Sequence, residues 1–220
     1  MKFVKITDTE QVVEYIAYAI QERLDEGKRV LWLVPGGSAI AIAVAVSRQI
    51  QGNRDLLSVT LTDERFGPVD HDDSNWRQLI DAGVDFNGID THAVLSGANR
   101  AETTKRFAST LDTLFAEADY RIGFFGMGPD GHIAGVLPGS VAVDAEGSAT
   151  DYDANFERIS MTLSQIAKLD EAIVYAVGEA KQEALDNLVQ DLPLDVQPAQ
   201  ILKQVPNVII FNDYKTTEEI

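Results

Sequence analysis

Short, almost continuous apolar segments that lead into glycine-bearing loops constrain the fold of this 220-residue chain most strongly. Residues 29–34 read RVLWLV and precede PGGS, and residues 120–126 read YRIGFFG and precede MGPDGH. Runs of this kind are typical of strands that are buried on both faces of a parallel sheet. Such a sheet needs helices on both sides, because each crossover between parallel strands must cover an apolar face.

The rest of the chain alternates between helical and strand-like segments. Apolar spacing or alternating alanines predict helices over residues 8–26, 39–50, 101–118 and 179–189, and one opening near Ser74. Further strands are predicted over residues 57–62, 93–95, 159–163, 171–177 and 208–211. We therefore predict an α/β fold, a doubly wound, mostly parallel sheet with helices on both faces, in one domain over residues 1–220.

The charge of the chain excludes several classes of partner. It has 35 acidic and 18 basic side chains, for a formal net charge of −17. Proteins that bind nucleic acid or anionic membranes gain affinity from an extended basic face, so we expect neither partner. The longest apolar stretch, residues 30–46, is interrupted by PGGS, and no membrane segment is expected.

Cysteine is absent from the sequence, which excludes disulfides, thiolate nucleophiles and cysteine-ligated metals. The first residues, MKFVKITD, turn polar before the apolar region of a signal peptide develops. We expect a cytoplasmic protein.

The loops at the carboxyl ends of the strands are the candidate ligand sites, as in other open α/β sheets. Gly36, Gly37 and Ser38 form one such loop and feed a predicted helix. Backbone N–H groups and a hydroxyl at a helix N-terminus suit a phosphate. The alternative is a tight strand-to-helix turn without a ligand.

His132 is the candidate catalytic base. It lies in the loop GPDGH, two residues after Asp130, which is placed to orient or charge the imidazole. A purely structural histidine is the alternative.

Lys181 lies in the first turn of a predicted helix, where a cation is unfavourable unless an anion lies nearby. Pairing with Glu179 or Glu183 is the alternative explanation.

The acidic segment TDERFGPVDHDDSNW contains Asp63 and the group 70–73. It fails the EF-hand pattern, because Asn75 occupies the position of the turn glycine and no glutamate follows at the twelfth position. A solvated, helix-capping turn is favoured over a metal site.

Taken together, these loops resemble the 6-phosphogluconolactonase family, within a superfamily that includes glucosamine-6-phosphate deaminase. The matching segments are VPGGS, TDERFGPVDHDDSNW, GMGPDGHIAGVLPGS, RISMT, GEAK and VIIFND, in the order of the family and over nearly the whole chain. The resemblance implies a Rossmann-like three-layer sandwich and a cofactor-free hydrolase. Its implied substrate is a small-molecule sugar phosphate, 6-phosphoglucono-δ-lactone of the pentose phosphate pathway, and we expect a monomer or small homo-oligomer.

The resemblance also implies roles for individual residues. His132 corresponds to the base that activates water, with Asp130 beside it. The remaining matched positions correspond to substrate- and phosphate-binding residues: Gly36, Gly37, Ser38, Asp63, Arg65, Gly128, Arg158 and Lys181. No metal ligand is implied.

Two departures from the family pattern and two alternative functions accompany the resemblance. The loop reads GGSAI where many relatives have Thr-Pro after the serine, and AGVLPG replaces the commoner ASLFPG.

The deaminase branch places a glutamate before the proline, where this chain has Leu137. A non-catalytic sugar-phosphate-binding protein is a further alternative. If the resemblance holds, Arg65, Arg158, Lys181 and the Gly-Gly-Ser loop converge beside His132 in one pocket.

Overall fold

A seven-stranded, entirely parallel sheet forms the centre of the protein, in a computed structural model that describes residues 1–217. Its strands are β1 (Lys2–Lys5), β2 (Val30–Val34), β3 (Leu57–Leu61), β5 (Asp90–His92), β6 (Tyr120–Gly126), β9 (Glu171–Ala176) and β10 (Asn207–Asn212). Their order in the sheet is β1-β10-β9-β6-β2-β3-β5. All five residues of β2 are buried, because β2 lies between β3 and β6 under helices.

Helices cover both faces of the sheet and supply the crossovers, which confirms the predicted fold class. They are α1 (Glu10–Asp25), α2 (Ile40–Gln49), α3 (Asn75–Asp81), α4 (Arg100–Glu117), α5 (Leu163–Ile166) and α6 (Gln182–Leu188). Ser74 caps α3, as the sequence predicts, with its side chain accepting the N–H of Arg77. None of the helices in residues 1–217 is long and apolar enough to cross a bilayer.

A second, antiparallel sheet lies beside the carboxyl ends of the central strands. It has the order β4-β8-β7, with β4 at Asp63–Arg65, β7 at Ala149–Asp153 and β8 at Glu157–Met161. In this sheet Asp63 pairs with Ser160 and Arg65 pairs with Arg158. Two segments that are about ninety residues apart in sequence thereby place their polar side chains side by side.

Several element predictions need correction. Residues 93–95 are not a strand; the edge strand is β5, three residues earlier, and its exposed side chains give no apolar signal. The segment predicted as one helix over 179–189 begins with a 3₁₀ turn at Glu179–Lys181 before α6. The sequence also gave no indication of β1, β4 and β7, which are short and largely polar.

A buried carboxylate fixes α1 to the amino ends of the central strands. Glu171 is 4% exposed and accepts hydrogen bonds from the hydroxyls of Tyr15 on α1 at 2.5 Å and Tyr120 on β6 at 2.7 Å. Burial and the adjacent Glu171 raise the pKa of both tyrosines, so both remain donors. This cluster lies at the opposite edge of the sheet from the glycine-bearing loops.

Candidate active site

A cavity of about 290 Å³ lies at the carboxyl ends of β2 and β6. Nine of the ten candidate residues of the sequence line it: Gly36, Gly37, Ser38, Asp63, Arg65, Gly128, His132, Arg158 and Lys181. Asp130 does not line the cavity, and its carboxylate contacts Nδ1 of His132 instead. The topology explains the convergence, because parallel strands deliver their following loops to one edge of the sheet.

The loop after β6 folds tightly around His132. The N–H of Gly128 donates to the carbonyl of His132 at 3.0 Å, and the N–H of Gly131 donates to the carbonyl of Gly128 at 3.0 Å. A Cβ on Gly128 would lie 2.1 Å from Nδ1 of His132, so this position accepts only glycine. Gly131 has a φ of +76°, which L residues with side chains rarely adopt.

Asp130 fixes the imidazole of His132. Its Oδ1 lies 2.7 Å from Nδ1 of His132 and also accepts the backbone N–H of His132 at 3.2 Å. Burial raises the pKa of Asp130, but the contacts with His132 outweigh burial and lower it overall, so Asp130 is a carboxylate. A carboxylate at Nδ1 favours the tautomer with a proton on Nδ1, which leaves Nε2 as the acceptor of the ring.

The loop after β2 approaches α3 closely. A Cβ on Gly36 would lie 2.0 Å from Oδ1 of Asn75, so Gly36 allows the two segments to touch. Gly37 has a φ of +66°, and a 3₁₀ turn over Gly37–Ala39 leads into α2. These features explain the two glycines by backbone geometry, and they leave Ser38 at the wall of the cavity.

Asn75 lines the cavity, although the sequence predicts no role of its own for this residue. It is 2% exposed, and its Nδ2 donates to the carbonyl of Asp63 at 2.9 Å. Its Oδ1 is buried without a hydrogen-bond partner among residues 1–217. The D-x-S-N motif contained Asn75, but its burial depends on the packing of α3 against β4.

Glu64, the middle residue of DER, does not line the cavity but holds Asn75 and the start of α3 in place through hydrogen bonds. Its carboxylate accepts the backbone N–H of Asn75 at 2.7 Å and of Trp76 at 3.1 Å, and the hydroxyl of Ser74 at 2.9 Å. Burial raises the pKa of Glu64, and these hydrogen bonds act against that rise. Glu64 thus joins β4 to the start of α3.

Three cations face the cavity with few close anionic partners. Nη1 of Arg158 lies 3.7 Å from Oδ2 of Asp63, and its Nε is buried without a hydrogen-bond partner among residues 1–217. Nη1 of Arg65 donates to the carbonyl of Asp73 at 3.2 Å. Lys181 is half-buried, and within the described part of the chain its ammonium makes no hydrogen bond or ion pair.

The electrostatics of the cavity follow from burial. Burial raises the pKa of Asp63, and the nearby Arg158 opposes that rise. Burial lowers the pKa of Lys181, and Asp213 opposes that fall. Arg65, Arg158 and Lys181 together bring three basic side chains to one cavity in a protein whose net charge is −17.

The remaining polar residues of the acidic segment lie outside the cavity. Arg77, the residue that follows the segment, also does not line the cavity and pairs with Asp81 on α3 at 2.6 Å. Nε2 of His71 lies 3.0 Å from the carbonyl of Arg65, so His71 contacts the last residue of β4. Within residues 1–217, no group of three or more His, Asp or Glu side chains is arranged to hold a metal ion.

Comparison with protein-family models identifies the family to which the chain belongs. A model described as glucosamine-6-phosphate isomerases/6-phosphogluconolactonase matches residues 7–210. The chain belongs to this glucosamine-6-phosphate isomerase/6-phosphogluconolactonase family. The match spans all the loops that line the cavity.

Curated relatives in the isomerase/lactonase family come from both of its branches. The chain is 28% identical to a 6-phosphogluconolactonase of Caulobacter vibrioides, over 68% of each chain. It is 28% identical to a 6-phosphogluconolactonase of Neisseria meningitidis, over 82% of this chain and 83% of the relative. It is 22% identical to a glucosamine-6-phosphate deaminase of Streptococcus uberis, over the full length of both.

Solved structures share the fold of this family member. A 6-phosphogluconolactonase from Thermotoga maritima aligns with a TM-score of 0.82 at 20% identity, covering 96% of this chain and 98% of that one. A 6-phosphogluconolactonase from Shewanella baltica aligns with a TM-score of 0.82 at 20% identity, covering 96% of this chain and 97% of that one.

The position that the resemblance uses to separate the two branches lies just outside the cavity. Leu137 is half-buried, and its backbone N–H donates to the hydroxyl of Tyr152 at 3.2 Å. It does not line the cavity of this isomerase/lactonase family member. A leucine side chain has no proton to exchange at any pH.

Proposed function

We propose that this protein hydrolyses 6-phosphoglucono-δ-lactone to 6-phosphogluconate, with His132 as the base that activates water. One observation carries the proposal. The His132–Asp130 pair, with its 2.7 Å contact, opens onto the same cavity as Arg65, Arg158 and Lys181. A base beside a concentration of cations suits an ester-like bond in an anionic molecule.

The hydrolysis follows from the tautomer of His132. Asp130 holds the proton on Nδ1, so Nε2 accepts a proton from water as the water oxygen attacks the lactone carbonyl. The carbonyl oxygen gains negative charge in the tetrahedral intermediate, and Arg65 is the cation we assign to its stabilisation. The carbon–ring-oxygen bond then breaks and the ring oxygen takes the proton from Nε2. The resulting carboxylic acid releases the remaining proton of the attacking water to solvent and becomes the product carboxylate.

The phosphate of the substrate is assigned to the other side of the cavity. Gly36, Gly37 and Ser38 offer backbone N–H groups and a hydroxyl, and Arg158 and Lys181 offer charge. Asp63 and Gly128 also line the cavity, and we assign both to substrate binding. Binding energy from a phosphate remote from the reacting bond contributes to orientation as well as to affinity.

Several finer features belong to the same proposal. The reaction needs no metal or cofactor, because water, base and cations suffice. We place the enzyme in the pentose phosphate pathway and in the cytoplasm, acting as a monomer or small homo-oligomer, without nucleic acid or membrane partners.

A glucosamine-6-phosphate deaminase is the second candidate, because the deaminase of S. uberis aligns over the full length of the chain. Against it stands Leu137 at the position that the resemblance gives to a glutamate of that branch. A sugar-phosphate-binding protein without turnover is the third candidate.

Three measurements on the purified protein separate these candidates. Acid release from 6-phosphoglucono-δ-lactone above the spontaneous rate supports the lactonase. Ammonia release from glucosamine 6-phosphate supports the deaminase and overturns the proposal. Calorimetric binding of 6-phosphogluconate without turnover of either compound supports the binding protein and also overturns it.

A further inference from the structure

The segment that carries Lys181 is tied to the residue that follows β10. The backbone N–H of Gly178 points at the carboxylate of Asp213, 3.1 Å from Oδ1 and 3.2 Å from Oδ2. Asp213 comes directly after Asn212, the last residue of β10. The contact therefore joins the loops after two neighbouring strands, β9 and β10, at the cavity edge of the sheet.

Gly178 transmits this contact to Lys181. Its φ is +113°, a backbone conformation that residues with side chains rarely adopt. Its carbonyl accepts the N–H of Lys181 at 2.9 Å and so closes the 3₁₀ turn that sets the direction of the lysine. A shift of Gly178 would therefore move the Lys181 side chain along the wall of the cavity.

Asp213 also acts on Lys181 through its charge. Burial lowers the pKa of Lys181, and Asp213 is the carboxylate that opposes this effect. The other charged or titratable side chains that line the cavity with Lys181 are those of Arg65, Arg158, His132 and Asp63. Asp213 does not form an ion pair with Lys181, so the ammonium is left to other anions.

We propose that Asp213 is a positioning residue, which holds the Gly178–Lys181 turn so that the Lys181 ammonium faces the cavity and is available to the substrate phosphate. The inference rests on the proposed function for the identity of the anion. The placement of Lys181 by Asp213 stands on the geometry alone.

Two substitutions separate the hydrogen bond from the charge. Asp213→Asn keeps an acceptor for Gly178 and removes the charge, whereas Asp213→Ala removes both. Asp191→Asn is the matched control, because it makes the same change of charge at a fully exposed side chain paired with Lys203. Thermal denaturation establishes that each variant is folded.

The first readout is steady-state kinetics with the lactone against pH. Asp213→Ala is expected to raise KM about tenfold, the effect of one lost charge-assisted hydrogen bond, with a smaller change in kcat. Asp213→Asn is expected to raise KM less at neutral pH and to lose affinity at a lower alkaline pH than the wild type. Asp191→Asn is expected to match the wild type.

The second readout does not need activity. Lysines are labelled by reductive ¹³C-methylation, and the Lys181 signal is assigned with Lys181→Arg. Its titration is expected to move to lower pH in both Asp213 variants and to stay unchanged in Asp191→Asn. Wild-type protein without lactonase activity would overturn the proposed function, while this shift would still support the placement of Lys181. An unshifted titration in both Asp213 variants, or an unchanged KM in an active enzyme, would overturn the inference.

Discussion

Arg65 lies directly opposite Arg158 in the antiparallel pairing of β4 with β8. Like charges in this relationship repel each other, so the pair needs compensation. Asp63 supplies a carboxylate 3.7 Å from Arg158, and the ring of Phe156 lies 4.6 Å from the guanidinium carbon of Arg65 and 5.9 Å from that of Arg158.

Phe156→Leu is expected to raise KM about two- to fivefold, because a partly exposed cation–π contact contributes roughly 0.5–1 kcal/mol and the arginines lose their common support. Phe86→Leu is the matched control, since Phe86 stacks on Trp76 at 5.2 Å and does not line the cavity. Steady-state kinetics of both variants provide the measurement. A KM that changes equally in both variants would contradict the role of Phe156.

His132→Asn is expected to lower kcat by about 10²- to 10⁴-fold, the usual contribution of a positioned general base. The control is His92→Asn, because His92 forms a second pair with a carboxylate, 2.8 Å from Asp90, and does not line the cavity. Lactone turnover is measured for both, with thermal denaturation as the test of folding. Near-wild-type turnover by folded His132→Asn would show that the base is another group.

We expect Lys181→Ala and Arg158→Ala each to lower kcat/KM about tenfold to a hundredfold, mostly through a higher KM. Each variant removes a positive charge that we assign to binding the substrate phosphate. Part of the loss is expected in kcat, since remote binding energy also orients the substrate. Lys168→Ala is the control, because this exposed lysine bonds to Gln165 on α5. An unchanged kcat/KM in both cavity variants would refute the phosphate assignment.

Asp63→Asn is expected to change how stability depends on pH. Burial raises the folded-state pKa of Asp63 above its ordinary value of 3.8. The folded protein therefore holds this proton more tightly, and the contribution of Asp63 to the free energy of unfolding falls as pH rises from the unfolded-state pKa through the folded-state pKa. Because asparagine does not titrate in this range, the free energy of unfolding of Asp63→Asn does not fall in this way as pH rises.

The measurement is the Tm of both proteins as a function of pH, from about pH 4 to about pH 8. The Tm of Asp63→Asn minus that of the wild type should become more positive at the higher pH. A difference that is independent of pH would contradict the buried-carboxylate account.

Tyr15→Phe is expected to lower the free energy of unfolding by about 1–2 kcal/mol, because buried Glu171 loses one of its two tyrosine donors. Its kcat/KM should equal that of the wild type, since the cluster lies at the opposite edge of the sheet. Tyr18→Phe serves as control, because Tyr18 is 64% exposed on the same helix. Urea denaturation gives the stabilities, and an equal loss in both variants would argue against the Glu171 anchor.

Strong local signals in the sequence were sufficient for five of the seven strands of the central sheet, all except β1 and β5. β2 is buried at all five of its positions and β6 is buried over residues 122–125, so packing between helices is what removes these apolar runs from water. The apolar spacing of α4 predicted a helix over 101–118, and the helix runs from Arg100 to Glu117. The family resemblance added a set of loops, nine of whose ten candidate residues line one cavity.

Tertiary structure alone decided the small sheet and the surroundings of the candidate residues. The DER segment is polar and three residues long, and it becomes β4 only because β8 lies beside it. That pairing sets Arg65 opposite Arg158, and the packing of α3 buries Asn75 and Glu64. Asp213 reaches Gly178 because β10 lies next to β9. Sequence patterns report local burial and periodicity, whereas these contacts join residues far apart in the chain and depend on how the elements pack.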